Sequence, residues 1–230
     1  MKNEPIVDLT TKFSIYAQFI VGMYGIDGLR SSLAEKDMIL HDILVLESIV
    51  QVIELGWYYF ILQNLPQEEM AKNRYYDWVI TTPIMLITIF SYLLYEDQLE
   101  NKPNDPPLRL TTILRDHKHS INKIIISNYM MLSLGYLYET GKVSKEFAFI
   151  YGFVFLIIVF DIIYKEAGCK TAKGKKIVLW MFLLWSVYGI AFMFPTGMKN
   201  SIFNITDLFS KNFFQVYITN LIHNKKLKIT

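Results

Sequence analysis

Residues 78–95 read WVITTPIMLITIFSYLLY and contain no charged side chain. A stretch of about 18 or more such residues is long enough to cross the hydrocarbon core of a bilayer as a helix. A second uncharged stretch covers residues 177–198, and a shorter one covers residues 124–138. Because such stretches recur along the chain, the sequence predicts an all-α membrane protein.

The overall composition agrees with this fold class. The chain has 230 residues, of which 53% are hydrophobic and 15% aromatic, and its mean hydropathy is +0.28. The formal net charge of +2 gives no overall basic field, so we expect no nucleic-acid partner. A single cysteine, Cys169, excludes an internal disulfide framework. We expect neither a metal site nor an enzymatic activity.

Apolar helical segments follow one another with short connections along the whole chain. They cover roughly residues 9–29, 38–63, 72–97, 120–139, 144–165, 175–195 and 201–223. Spans of about 20 to 25 residues suffice to cross a bilayer. The sequence therefore predicts a seven-transmembrane-helix bundle, formed by one domain over residues 1–230 and embedded in lipid.

The distribution of basic residues predicts the orientation of this bundle. The connections at 30–37, 98–119 and 166–176 and the tail after residue 223 would share one side. Together with Lys165 at the end of the fifth span, this side holds fourteen Lys and Arg residues. The opposite side holds Lys2, Lys72, Lys142, Lys145 and Lys199. By the positive-inside rule, the N-terminus lies outside and the C-terminus lies in the cytoplasm.

Ionisable residues inside a membrane span are functional candidates, because a charge in hydrocarbon costs about 3 kcal/mol on insertion scales. Here they are Glu47, Glu54, Arg74, Asp77, Asp161, Asp207 and Lys211. Asp207 and Lys211 lie one turn apart on one face of the seventh span. Arg74, Asp77 and Thr81 form a stripe on the third span. One interpretation is a salt-bridge network that joins the third and seventh spans.

A second interpretation is a ligand site around the buried lysine. Trp78 follows Asp77, and Trp185 and Tyr188 lie midway along the sixth span. Large flat rings near a buried lysine favour a planar apolar ligand, although an aromatic stripe alone is more often core packing. A lysine amine can also form a Schiff base with an aldehyde.

Three stretches resemble the motifs of microbial rhodopsins. RYYDWVITTP at 74–83 resembles the third-helix pattern R-Y-x-D-W-x-x-T-T-P of that family. D-x-x-x-K at 207–211 matches the seventh-helix counterion and retinal lysine, and LWSVYG at 184–189 resembles the sixth-helix W-x-x-Y wall. In the fifth span the expected tryptophan is absent, and Phe149 or Tyr151 stands in its place. The resemblance covers all seven spans.

The resemblance implies all-trans retinal bound to Lys211 as a protonated Schiff base. Asp77 and Asp207 would be its counterions, with Asp77 the proton acceptor, and Arg74 would balance their charge. The residues expected to line the chromophore are Trp78, Thr81, Thr82, Met131, Gly135, Trp185 and Tyr188. The sixth span departs from pumps such as bacteriorhodopsin, because Gly189 stands where they usually carry proline.

Polar residues in the first, second and seventh spans resemble the ion path of channelrhodopsins. Glu47 and Glu54 lie two turns apart on one face of the second span, and Asn212 follows the lysine. Ser14 lies at a depth suited to meet Glu47 and Asn212. These residues predict a Ser–Glu–Asn constriction in a path for cations. The alternative is that Glu47, Glu54 and Asn212 are helix-packing polar groups.

An outward proton pump is the alternative function. Pumps such as bacteriorhodopsin place a carboxylic acid eleven residues after the acceptor, where this chain has Thr88. A threonine cannot hold and release a proton near neutral pH, so reprotonation would be slow or would use another route. A sensory receptor with a separate transducer is a third reading, which nothing in the sequence specifically favours.

The likeness is strongest to the first group of rhodopsins from giant viruses of algae and other protists, which act as light-gated cation channels. The SKN at 210–212 and the glutamates of the second span suit that group. Asn128 is expected to hydrogen-bond Thr82 and to join the third and fourth spans. We therefore expect a light-gated cation channel in the membrane of an infected host cell. Its partners would be permeant cations, and self-association into a homo-oligomer is left open.

Overall fold

Helices packed side by side make up the computed structural model, which describes residues 4–226. The helices are α1 Pro5–Leu29, α2 Ile39–Gly56, α3 Gln67–Asn101, α4 Leu110–Asp116, α5 Lys118–Glu139, α6 Lys145–Glu166, α7 Ala172–Ala191, α8 Thr196–Asp207 and α9 Phe213–Lys225. A π-helical segment, Trp57–Ile61, extends α2, and a second one, Leu208–Asn212, joins α8 to α9 without a break. Lys2 and Lys228, which entered the charge argument for orientation, lie outside the described residues.

The seven predicted spans are present as α1, α2, α3, α5, α6, α7 and the continuous helix α8–α9. The boundaries differ by four or five residues at the start of α1, at both ends of α3 and between the last two spans. The sixth was predicted to reach residue 195, but α7 ends at Ala191, and α8 begins at Thr196 rather than at residue 201. Pro195 explains the break, because proline disfavours helical backbone in the residue before it and is well suited to the start of the next helix.

Helix α3 is the central helix of the bundle. By length and composition, α3, α6 and α7 qualify as membrane-crossing helices among the described residues. The apolar window of α3 is 78% buried inside the protein, whereas that of α6 is only 28% buried. Large apolar side chains, among them Phe13, Phe19 and Ile20 of α1, point outward. An apolar outer surface of this kind suits lipid rather than water.

Helix α1 lies close to α2 and α9 because its glycines leave room for their side chains. A Cβ atom on Gly28 would lie 2.8 Å from Leu44 Cδ2 and 2.9 Å from Thr219 Cγ2. At Gly25 it would lie 2.1 Å from the side-chain nitrogen of Gln215. The close approach brings polar residues of three helices together on the inner side of α1.

We expect Gly28→Ala to lower the thermal unfolding midpoint relative to the matched variant Gly56→Ala. Alanine in a helix generally gains about 0.5–1 kcal/mol over glycine. Gly56 can realise this gain, because nothing lies within 4 Å of a Cβ atom there. At Gly28 the added methyl group overfills a packed contact, which costs about 1–3 kcal/mol. Unfolding of both variants in one detergent measures the difference, and equal midpoints would contradict the packing at Gly28.

Candidate functional site

Lys211 is the charged centre of the molecule. Its side chain is buried, and its Nζ lies 3.0 Å from Asp77 Oδ2, 3.4 Å from Glu54 Oε1 and 3.8 Å from Asp207 Oδ1. The structure thus brings the two predicted counterions to the lysine. It also brings Glu54, which the sequence had placed in an ion path, to the same amine as a third carboxylate.

Two π-helical segments carry residues of this centre. Lys211 lies in Leu208–Asn212, and Tyr58 lies in Trp57–Ile61. The Tyr58 hydroxyl donates a hydrogen bond of 2.5 Å to Oδ2 of Asp207, the residue that directly precedes the segment Leu208–Asn212. Such π-helical turns are rare and occur frequently at functional sites.

Asp207 receives hydrogen bonds on both carboxylate oxygens. Oδ2 accepts from Tyr58 and, at 3.1 Å, from Arg74, and Oδ1 accepts from the Tyr188 hydroxyl at 2.6 Å. Arg74 also donates to Asn204 Oδ1 and, at 2.7 Å, to the Tyr58 oxygen. Arg74 is buried and forms an ion pair with Asp207 inside the bundle, at 3.1 Å.

An apolar cavity of about 110 Å³ lies between α3, α5, α6 and α7 and reaches Lys211. The predicted lining residues found there are Trp78, Thr82, Met131, Gly135, Trp185 and Tyr188. Thr81 does not line the cavity, and its hydroxyl donates to the backbone oxygen of Asp77 at 3.1 Å. In the fifth span, Phe149 lines the cavity, whereas Tyr151 points outward.

Although Tyr75, Gly189 and Ser210 lie within the stretches that carry the resemblance, several lining residues were not expected from the sequence to line the cavity. They are Tyr75, Met85, Leu132, Ala148, Gly152, Phe153, Leu156, Gly189, Phe192, Phe203 and Ser210. Two glycines are required by packing: a Cβ atom on Gly135 would lie 2.2 Å from Tyr75 Oη, and one on Gly189 would lie 2.4 Å from Phe153 Cε2. The ring of Phe153 therefore accounts for the glycine at position 189.

These residues fit retinal. The cavity walls are almost wholly apolar, and the lysine amine that faces them is the group with which an aldehyde condenses. Beside that amine stand carboxylates able to hold a positive charge in an apolar pocket. The predicted bridge between the third and fourth spans is also present, since Asn128 Nδ2 donates to Thr82 Oγ1 at 2.8 Å.

A polar column lies on the other side of Lys211, where α1, α2 and the helix α8–α9 meet. Its buried members are Thr10, Thr11, Ser14, Gln18, Glu47, Gln51, Glu54, Asn204, Asn212, Gln215 and Thr219. Both amide atoms of Gln18, both of Asn212 and the Oε1 atom of Gln215 have no hydrogen-bond partner among the residues that the structure describes. A buried polar group left unpaired costs about 1–3 kcal/mol. Sequence reasoning missed the three glutamines, because they follow no motif.

The predicted constriction residues all lie in this column. The Ser14 hydroxyl donates to the backbone oxygen of Asn204 at 3.1 Å. The side-chain amide of Asn204 donates to Thr10 and Thr11 at 2.8 and 3.0 Å. Within residues 4–226, no hydrogen bond directly joins Ser14, Glu47 and Asn212. The Ser–Glu–Asn constriction therefore stays a prediction.

Glu47 contacts a different partner, the hydroxyl of Thr88 on α3. Both side chains are fully or almost fully buried. Thr88 occupies the position at which pumps carry a carboxylic acid. Although α3 itself lacks that acid, the second span supplies a carboxylate to the same place.

Comparisons with known proteins agree with this geometry. The model of the bacteriorhodopsin-like protein family matches residues 10–225. The chain is similar to viral rhodopsin OLPVRII, with 26% identity, a TM-score of 0.78 and coverage of 95% of this chain and 98% of that chain. A comparison with curated proteins gave no match.

Two more distant structures share the fold. Halorhodopsin, a light-driven chloride pump, is 11% identical with a TM-score of 0.70, and the match covers 97% of each chain. The proton-pumping rhodopsin AR2 from the marine alga Acetabularia acetabulum is 16% identical with a TM-score of 0.69, over 96% of each chain. At these identities the likeness concerns the fold alone.

We expect Lys211→Ala to abolish the visible absorbance that appears when the protein is supplied with retinal. The reason is that alanine has no amine with which the aldehyde can condense. Lys199→Ala is the matched control, because Lys199 is also buried but is paired with Glu139 at 2.6 Å, and it should keep the colour. Absorption spectra of the purified proteins measure the outcome. Covalently bound retinal in the Lys211 variant would contradict the assignment.

Proposed function

The chain belongs to the bacteriorhodopsin-like family, and we propose that it acts as a light-gated cation channel with all-trans retinal on Lys211. Membership in the family implies a retinal-binding lysine and makes the protein an integral membrane photoreceptor or ion transporter. Retinal supplies the absorption of light and the change of shape that follows. The side chains around Lys211 then determine which ions move.

The polar column is the observation that carries the channel proposal. Its unpaired amide atoms on Gln18, Asn212 and Gln215 are buried but satisfied by no other group in the described chain. Amide and carboxylate oxygens can replace part of the hydration shell of a cation. Polar groups of this kind would be costly if they only packed helices together. A path for water and cations gives each of them a partner.

Close contacts lie near the two ends of the column, and in a gated path such contacts would have to open. At one end Arg74 donates to Asn204 and lies over the ring of Tyr58, with its guanidinium carbon 5.1 Å from the ring centre. At the other end Leu44 and Thr219 pack against Gly28. A movement that starts at Lys211 has to separate these contacts before an ion can pass.

We also propose a viral group, a membrane orientation and partners for this chain. The similarity to a viral rhodopsin supports a place among the viral rhodopsins. Glu47, Glu54 and Asn212 are the reason why we propose the first group of giant-virus rhodopsins. We propose that the N-terminus lies outside and the C-terminus lies in the cytoplasm of an infected host cell. Permeant cations are the partners of the column, and assembly into a homo-oligomer is compatible with the outward-facing apolar surface.

The contact between Glu47 and Thr88 favours a second candidate, an outward proton pump. In this function Asp77 accepts the proton from the Lys211 nitrogen. Glu47 then acts as the proton donor in place of an acid at position 88 of the third span. The two candidates use the same residues but predict different electrical behaviour.

The light-induced current under voltage clamp separates the two candidates. If the protein is a channel, the current reverses sign when the cation gradient or the membrane voltage is reversed, because flow through an open path is passive. A pump current stays outward at every voltage and gradient. A pump also acidifies the medium of unbuffered cells in the light, and a protonophore abolishes that acidification. A current that never reverses would refute the channel.

We expect Glu47→Gln to change the current far more than the colour. The substitution removes a carboxylate from the column, and a roughly tenfold change in relative permeability corresponds to about 1.4 kcal/mol. Reversal potentials under two-cation gradients measure the change, and absorption spectra provide the second readout. Glu146→Gln, at an exposed position of α6, is the matched control and should leave both unaltered. An unaltered current in Glu47→Gln would make Glu47 a packing residue.

A further inference from the structure

Glu54 lies next to Lys211, and its carboxylate is not held by hydrogen bonds as that of a helix-packing residue would be. The side chain is completely buried, and its Oε1 atom is 3.4 Å from Lys211 Nζ. Neither carboxylate oxygen of Glu54 has a hydrogen-bond partner in the part of the chain that the structure describes. The same holds for Asp77 Oδ1, whereas Asp207 accepts hydrogen bonds on both oxygens.

The groups that face Glu54 come from several helices. They are Lys211 and Asp207 of the helix α8–α9, Asp77 of α3, Tyr58 of the extension of α2, and Tyr188 of α7. The buried residues of α1 are all uncharged. Arg74 completes the cluster through its contact with Asp207.

The charges of this cluster do not balance if every group is ionised. Lys211 and Arg74 carry two positive charges, and Asp77, Asp207 and Glu54 carry three negative ones. Carboxylates that share one buried site cannot all ionise without a large electrostatic cost, and they lower it by keeping a proton between them. Because Asp207 is already held by Tyr58, Arg74 and Tyr188, the proton is left to the other two acids.

We propose that Glu54 is a third carboxylate of the chromophore site, which shares one proton with Asp77 and thereby sets part of the colour of the bound retinal. The inference rests on the attachment of retinal to Lys211, but it does not depend on whether the protein is a channel or a pump. In this arrangement only part of a negative charge from the Asp77–Glu54 pair acts on the lysine nitrogen. Loss of the shared proton makes the surroundings of that nitrogen more negative.

The absorption spectrum of Glu54→Gln tests the proposal directly. Glutamine cannot share the proton as an acid, so Asp77 becomes a full anion 3.0 Å from the nitrogen. A fuller negative charge there stabilises the ground state, whose positive charge is concentrated at the nitrogen. We therefore expect a shift to shorter wavelength at neutral pH. The wild-type protein should make the same shift when alkali removes the shared proton, and Glu54→Gln should lack that transition.

The control is Asp37→Asn, which removes a buried carboxylate that is bonded to Tyr95 and Lys225 instead of to Lys211. It should keep both the wild-type colour and the alkaline transition. An unchanged spectrum, a shift to longer wavelength or a retained transition in Glu54→Gln would overturn the proposal. If Glu54→Gln does not assemble with retinal, Glu54→Asp carries the test. A transition at a displaced pH then supports the sharing, and one at the wild-type pH refutes it.

These outcomes are independent of the channel proposal. A wild-type current that does not reverse refutes the channel, whatever the colour of Glu54→Gln. A coloured wild-type protein whose Glu54 variant titrates normally refutes only the shared proton. A wild-type protein that takes up no retinal would overturn both the chromophore assignment and this inference.

Discussion

The placement of a lysine charge deep inside a bundle of apolar helices constrains the rest of the structure. A buried ammonium group is tolerable only when anions lie within a few ångströms, because its interaction with water has been lost. Asp77 and Asp207 supply those anions from α3 and from the seventh span itself. Glu54 adds a third anion from the second span. Arg74 offsets part of this negative charge through its ion pair with Asp207. Three spans are thereby fixed at one depth.

The residue next to the lysine links two different parts of the molecule. Successive residues of a helix point in different directions, so Lys211 and Asn212 face different neighbours. Lys211 lines the apolar cavity between α3, α5, α6 and α7, whereas Asn212 belongs to the polar column beside α1 and α2. A change of shape in the cavity therefore acts on the same turn of helix that presents Asn212 to the column. No long chain of contacts is needed to couple them.

The sequence predicted the seven spans correctly, and most of the residues that it singled out do surround Lys211 or the apolar cavity, because both depend on local patterns. Apolar length identifies a span, and the spacing of Arg74, Asp77 and Lys211 follows family motifs. It did not place Glu54. Glu47 and Glu54 lie on one helical face, and only the register of α2 against the seventh span decides which of them reaches the lysine.

The glutamines and the partner of Thr88 were missed for a related reason. Gln18 and Gln215 belong to no motif of their own helices. They come together in the column only because the glycines of α1 permit a close approach of the helices. The sequence of the third span alone indicated only that Thr88 replaces the carboxylic acid of a proton donor. The carboxylate that meets it is forty-one residues away along the chain, on Glu47. A one-dimensional pattern does not contain such a pairing.

That pairing also shows why channel and pump are close alternatives on this scaffold. A pump needs its donor and acceptor connected to opposite sides at different times, so the space between them has to remain closed to other ions. Glu47 and Asp77 provide such a pair of acids. The amides of Gln18, Asn212 and Gln215 add polar surface to the column that holds Glu47, and they leave donors and acceptors unpaired among the described residues. A strict proton donor needs a dry, apolar surrounding to keep its proton, whereas a hydrated path needs such amides. The unpaired polar atoms in the column are therefore the reason for proposing a channel before a pump.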